Sequence, residues 1–406
     1  MCKIEKMAKY AECDPIAQSI YKEVQTPYEY GIVLHSSDDQ VSFDCNMVDS
    51  MFVFGLPGDN EYVYMTYIGH DGDMDKGGYR TGLARSKDML SWEKLGVILD
   101  INENSGWDKS NAAGYLIRDS MWGSLPIPHV TANGKYAMTY LASSAEGYEN
   151  GIKKEGVAFT DAFFMSDGRV KKWMKNPMPI LDASDGKYSY ENGIIWKMSV
   201  VWDEDNKQYA GFYNASSGPE VMCQAYSRDL LSWTREEANP VLATSQDKGG
   251  NSWGASYNGD ANVVKIGDYW VMFYFTDSPA GIIDTFAYSK DMVHWTKSYI
   301  PLTARNDTYS CMCAHKCDMI KHNGVVYHYY CAVGKAGRQI AVSTSVDLTV
   351  IKEAEKFIEE HRGNAGFFAK YEAVVKKTDT LRHRLTERGG NLARVTAAIE
   401  DLKAEL

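Results

Sequence analysis

The 406-residue chain has no apolar run approaching the roughly 20 residues that a membrane-spanning helix needs. Its first segment, Met1 to Asp14, is charged and lacks the apolar core of a secretory signal. As written, the chain therefore reads as cytoplasmic; a periplasmic or secreted protein whose signal had been removed would look the same. Basic residues are also scarce, with 43 Lys and Arg against 54 Asp and Glu and a net charge of −11. With no basic stripe to neutralise phosphates, nucleic acid is excluded as a partner. Eight cysteines fit free thiols in a reducing compartment. Four residues, Cys311, Cys313, His315 and Cys317, alternate and would share one face of a strand. Metal ligands usually come from two separated elements, so these thiols read as buried or channel-lining, with no metal assigned to them. What the sequence has in plenty is aromatic: 27 Tyr and 10 Trp suit β-rich cores and the flat apolar faces of ligands such as sugars.

One phrase recurs. Ser86-Lys87-Asp88-Met89-Leu90-Ser91-Trp92 returns as Ser227-Arg228-Asp229-Leu230-Leu231-Ser232-Trp233 and as Ser289-Lys290-Asp291-Met292-Val293-His294-Trp295. Degraded copies lie around Phe159-Thr160-Asp161, ending at Trp173, and from Ser343 to Leu348. Spacings of about forty to eighty residues indicate stacked repeats. Before each copy lies an aromatic, alternating run such as Tyr62 to Tyr67 or Tyr269 to Tyr274, bounded by Gly, Asn and Asp turns, as expected of a buried strand. A short apolar strand follows the phrase and another strand precedes the aromatic run. The expected fold is all-β: a five-bladed β-propeller of four-stranded antiparallel blades over residues 45–350. Ser and Asp suit the turn between the third and fourth strands, and the Trp can pack between blades.

The ends differ from the repeats. Residues 1–44 are expected to form an extension with a short helix and a lead-in strand. Residues 351–406 turn to Glu, Lys, Ala and Leu, and Leu392, Val395, Ile399, Leu402 and Leu406 recur at helical spacing. Gly389-Gly390-Asn391 separates this helix from an earlier one carrying Leu381 and Leu385. The helical tail is expected to pack on its own propeller, with homo-oligomer formation through these helices as the alternative.

A propeller gathers the first strand of each blade around a central channel, so polar residues there can converge. The sequence offers Asp49, Asp108, Glu191, Asp260 and His315 at corresponding places, four acids and one histidine. Glycoside hydrolysis needs one carboxylic acid to protonate the leaving oxygen and one carboxylate to activate water or attack the sugar. Neighbouring negative charge keeps the acid protonated. Trp107, Tyr190 and Trp253 are candidate stacking platforms for sugar, and Arg80 a candidate substrate contact.

The order of a blade-one Asp, a further Asp and a blade-three Glu resembles family 43 glycosidases, within a superfamily that includes families 62, 117 and 130, and the S-x-D-x-x-x-W phrase recurs there too. The resemblance covers roughly Asp44 to Val350. It implies a glycosidase of carbohydrate metabolism and polysaccharide degradation, inverting and exo-acting on an oligosaccharide or glycoside. It makes Asp49 the general base, Glu191 the general acid, and Asp108, or else Asp260, the residue that tunes the acid. His315 is similar to the last-blade histidine near a bound cation in family 43, and to a histidine acid in family 117. No cofactor is expected, with a structural Ca or Na ion near His315 as an option. Family 43 carries Asp-Pro in blade one, whereas Asp49 precedes Ser50. The rival expectations are a phosphorylase, whose phosphate would need a basic cluster drawn from Arg80, Lys109, Arg118 and Arg305, and a non-catalytic sugar-binding propeller.

Overall fold

The computed structural model describes residues 14–216, 218–244, 253–364, 366 and 368–406. Helix α1 (Pro15–Val24) is capped by Asp14, whose carboxylate accepts from the N–H groups of Ile16 and Ala17, and leads into strand β1 (Tyr28–Leu34). Antiparallel meanders follow. The first is β2 (Met47–Gly55), β3 (Val63–His70), β4 (Arg80–Ser86) and β5 (Glu93–Leu99). The second is β6 (Ser110–Leu116), β7 (Tyr136–Ser143) and β8 (Lys153–Thr160), with the short β9 (Met174–Lys175) and β10 (Leu181–Asp182) both pairing with β8. The third is β11 (Ile195–Asp203), β12 (Gln208–Ser216), β13 (Glu220–Ser227) and β14 (Thr234–Arg235). The fourth is β15 (Asn258–Ile266), β16 (Tyr269–Ser278), β17 (Gly281–Ser289) and β18 (Thr296–Lys297). The last is β19 (Cys313–His322), β20 (Val325–Gly334) and β21 (Gly337–Thr344), and β1 supplies its fourth strand.

Each meander packs on the next and the last packs on the first, through contacts of β2 with β19, β20 and β21. A short parallel pairing of Ile282 and Ile283 with Cys313 and Ala314 also joins the fourth meander to the last. Because both faces of a sheet are covered by its neighbours, the second strands are mostly buried, and all eight residues of β3 are. This is why the aromatic runs show so little polar alternation.

The recurring phrase forms the turn between third and fourth strands. In its three full copies Asp88, Asp229 and Asp291 each accept two backbone N–H bonds at 2.7–2.9 Å. The following Met89, Leu230 and Met292 take positive φ and are buried. Trp92 then meets Tyr329 of the last meander edge-on at 6.1 Å, and Trp295 meets Phe212 of the third at 5.8 Å. These tryptophans fill the seams between meanders.

After β21 come α2 (Thr349–His361), α3 (Phe368–Thr386) and α4 (Leu392–Glu405), the last capped by Asn391. Val374, Leu381, Leu385, Val395, Ile399 and Leu402 enter the same core as Val48, Met89 and Tyr329, so the apolar stripe of the tail is covered in cis by the first and last meanders.

Two substitutions test this packing by equilibrium denaturation. Leu381→Ala, fully buried under the tail, should cost about 2–5 kcal/mol. Asp229→Ala, which strips two N–H acceptors from one turn, should cost about 1–2 kcal/mol.

Candidate active site

Each inner strand is bulged at a corresponding point. Pairing register shifts between Asp49 and Met51, Ser110 and Ala113, Trp196 and Ser199, Gly259 and Asn262, and His315 and Asp318. Within these bulges Ser50, Asn111, Lys197, Asp260 and Lys316 all take positive φ, from 23° to 63°. Such a conformation costs a non-glycine residue on the order of 1–3 kcal/mol and is found where function requires a side chain re-aimed out of strict alternation.

Four of the five re-aimed residues form one polar cluster. Lys316 Nζ lies 2.8 Å from Asp49 Oδ2 and 4.0 Å from Asp260 Oδ2. Arg338, on β21, reaches the same Asp49 oxygen at 2.5 Å. Lys197 Nζ lies 3.4 Å from Asp260 Oδ2, and the Tyr115 hydroxyl is 3.5 Å from both Asp260 and Ser50. Asn214 donates to Asp260 at 2.9 Å and to Glu220 at 2.7 Å. Asn111 bonds instead to the Ser143 hydroxyl and the Tyr79 N–H. Asp49, Asp260, Lys197 and Lys316 are buried, whereas Arg338, Glu220, Tyr148 and Glu149 are half-buried and mark the open side.

Further along the inner strands the channel is closed. Asp318 accepts from Arg118 in a bidentate pair, from Asn262 at 2.8 Å and from the Val53 N–H at 2.7 Å. Arg118 also donates to the Val53 carbonyl.

Burial sets the protonation states, and the lysines redistribute them. Burial raises Asp49, but Lys316 and Arg338 outweigh it and hold the carboxyl well below its usual range. Asp260 is likewise lowered, Lys197 and Lys316 overcoming burial. Glu220 moves the other way: burial, reinforced by the charges of Asp260 and Glu149, pushes it up to about 7 against the pull of Lys197 and Lys316. Beneath the Lys197 bulge, burial pushes Glu155 up to about 8, although the backbone N–H groups of Met198 and Lys197 favour its ionised form.

Asp49 and Asp260, both expected at the site, do come together. His315 is their neighbour; its Nδ1 bonds the Cys331 carbonyl at 3.1 Å, and burial with Lys316 pushes its pKa down to about 3. It is neutral near pH 7 and has no proton of suitable acidity to give. A calcium or sodium ion needs several oxygen donors, whereas His315 is bordered by the Phe275 ring, Lys316, Arg338 and one carboxylate, Asp49, whose Oδ2 is already held by both cations. Those residues do not fit such an ion, and Lys316 already supplies the positive charge between Asp49 and Asp260.

Glu191 and Asp108 lie elsewhere, and a repeat explains them. Glu191 accepts from the Tyr213 hydroxyl and from Arg235 Nε, both at 2.6 Å, and Arg235 also donates to the Asp182 carbonyl. Asp108 accepts from Lys175 at 3.1 Å and Tyr140 at 3.3 Å, and Asp44 from Lys94 at 2.6 Å and Tyr67 at 2.9 Å. In all three, an acid ahead of the inner strand ties a second-strand Tyr to a base on an outer strand. Opposite these Tyr rings stand the small residues Gly82, Gly156 and Cys223. Glu191, expected as the general acid, and Asp108, expected to tune it, thus stand in these outer-strand pairs and not in the cluster around Asp49 and Asp260. The expected correspondence failed because the acids recur relative to the outer strands, whereas the channel positions are set by the bulges.

The candidate platforms are engaged away from the cluster. Trp107 donates to the Pro177 carbonyl at 3.0 Å, Tyr190 packs by Tyr188, and Trp253 is buried edge-on to Tyr299. Arg80 is paired with Asp71 and Asp100, Lys109 with Glu146, and Arg118 with Asp318, while Arg305 caps backbone carbonyls. These four do not converge on one anion site. Sequence reasoning missed Lys197, Lys316, Arg338, Asn214, Glu220 and Glu149. Lys197 had a signal, a charge inside the largely apolar β11, whereas Lys316 shares β19 with His315, Asp318, Lys321 and His322; the others sit at strand ends and loops without a spacing rule.

Two stability measurements follow. Glu191→Gln leaves Arg235 without its buried partner and should cost about 3–5 kcal/mol in denaturant unfolding. Glu155 ionises near 4.5 when unfolded and near 8 when folded, so its stabilising contribution is complete below the lower value and is lost as pH rises through the upper. Comparing unfolding at about pH 5 and about pH 9 should show this loss, and Glu155→Gln should flatten it.

No family model and no curated protein matches the sequence. Among solved structures, it is similar to a complex of BT0996 with RGII at 32% identity and TM-score 0.72, over 82% of this protein and 95% of that one. A second structure, named as a glycoside hydrolase, matches at 31% identity and TM-score 0.72, again over 82% and 95%. A thermostable family-43 glycoside hydrolase shares the fold at 17% identity and TM-score 0.51, over 73% of this protein and 88% of that one. The antiparallel meanders, the acid-lined channel and the identity to these relatives together place the protein in the glycoside hydrolase propeller superfamily.

Proposed function

We propose that the protein is an exo-acting, inverting glycosidase that takes the terminal sugar of an oligosaccharide or glycoside into the central channel of a five-bladed propeller. Glu220 is the general acid and Glu149 the carboxylate that activates water. The observation that carries this reading is Glu220 itself, a half-buried carboxyl at the open side of the channel with a pKa of about 7. An acid of that strength is protonated enough to donate and acidic enough to transfer near neutrality.

Asp49 was the expected base, but two cations hold its proton affinity low, and a carboxylate so stabilised abstracts protons poorly. Glu149 is half-buried and its charge acts on Glu220. Asp49, Asp260, Lys197 and Lys316 then form a polar floor suited to orient sugar hydroxyls. The Arg118–Asp318 closure below that floor supports terminal rather than internal cleavage, because a closed channel admits a chain end. Inversion rests on the likeness to family 43 and requires the two carboxyl groups to stand about 6.5–9.5 Å apart in the working enzyme. Two carboxyl groups suffice for this chemistry, so no cofactor is invoked.

The test is a panel of aryl furanosides, aryl pyranosides and plant oligosaccharides, starting with fragments of RGII because a relative is solved in complex with it. Each is assayed with and without inorganic phosphate. Wild type should cleave without phosphate, with kcat/KM falling as pH rises through about 7. Glu220→Gln should lower kcat by about 10²–10⁴ and remove that limb, and the first product seen by NMR should have inverted configuration. Undiminished cleavage by Glu220→Gln, or a strict phosphate requirement, would overturn the assignment.

A further inference from the structure

The sequence placed Cys317 with Cys311, Cys313 and His315 on one strand face, but the Lys316 bulge breaks that alternation. Cys317 instead turns into the seam between the fourth and last meanders, packed with Phe273, Phe286 and Met319. There it meets Asp284 of β17 and His328 of β20, and one ligand-type atom from each residue lies within 4.8 Å of the others. We propose that Asp284, Cys317 and His328 form a closed, structural site for a divalent transition metal of the zinc class.

The chemistry of the three side chains fits such an ion. A thiolate, an imidazole and a carboxylate are borderline-soft donors of the kind zinc takes, and here they come from three separate strands. Asp284 Oδ2 is 3.0 Å from His328 Nε2, while Asp284 Oδ1 is buried with no hydrogen-bond partner. A carboxylate binding through both oxygens would complete four donor atoms and satisfy the unpartnered one. Charge also balances: a dication with one thiolate, one carboxylate and a neutral imidazole is neutral, which a site walled by Phe273 and Phe286 requires. On binding, the Cys317 thiol releases its proton to solvent, and His328 keeps its remaining proton on Nδ1, which has no partner in the fold. One proton thus leaves per metal bound. Because Cys317 follows Lys316 directly, the ion would pin the bulge that aims Lys316 at Asp49.

The alternative is a plain buried Asp–His hydrogen bond with a thiol beside it, and metal analysis separates the two without any substrate. The full-length protein is stripped with chelator, exposed to Zn²⁺ or Co²⁺, and desalted. One metal per chain is expected, with a thiolate-to-cobalt absorption band in the Co²⁺ form. X-ray absorption of the wild-type Zn²⁺ form should show one sulfur near about 2.3 Å and the remaining donors as nitrogen or oxygen near about 2.0–2.2 Å. Cys317→Ser should abolish the band and His328→Gln should weaken binding at least about tenfold, while Cys313→Ser should leave both intact. No retained metal, a sulfur-free shell in wild type, or binding unchanged in Cys317→Ser would overturn the site. Since the wild-type spectrum decides the point, it holds even if a variant fails to fold.

Discussion

The channel depends on a buried ammonium. Lys316 has been taken out of water and set between Asp49 and Asp260, and a charge so placed survives only because carboxylates surround it. Lys197 repeats the arrangement on the other side of Asp260. The two lysines keep two carboxylates ionised in a place where burial alone would protonate them. The negative charge thus retained then helps keep a third carboxyl, Glu220, protonated near neutrality. Lysines, aspartates and acid form one coupled electrostatic system.

That system rests on strained backbone. Strict alternation along an inner strand would send Lys197 and Lys316 toward a seam between sheets and away from Asp49 and Asp260. The bulges turn them into the channel, and the sheets packed on both sides hold the positive φ values in place. The inner strands therefore carry the functional irregularities, while the outer strands carry a regular device: an acid, a tyrosine and a base, repeated around the rim as Asp44–Tyr67–Lys94, Asp108–Tyr140–Lys175 and Glu191–Tyr213–Arg235. Both devices use buried carboxylates. They differ in whether the compensating cation sits at the rim or in the channel.

Closure of the ring matters as much as its contents. Strand β1 completes the last sheet from the opposite end of the sequence, and the helical tail covers the seam between first and last meanders. Residues distant in sequence, Asp49 and Arg338 among them, can meet only once that seam is shut.

The sequence alone determined the repeat, the strands and their turns, because these follow from local chemistry: alternating aromatics, Ser and Asp accepting nearby N–H groups, and Trp filling the seam. It also singled out Asp49 and Asp260, which meet around Lys316, since a carboxylate in an apolar strand needs a buried partner. Which acids face the channel was decided only by tertiary structure. Glu191 lies ahead of its inner strand whereas Asp49 lies within one, and repeat spacing does not separate the two cases, so Glu191 looked equivalent to Asp49 while lying against Arg235 at the rim. Glu220 and Glu149 were illegible for a different reason. The proton affinity of Glu220 is set by burial and by charges that include Asp260, Lys316 and Glu149, and no single stretch of sequence contains these neighbours.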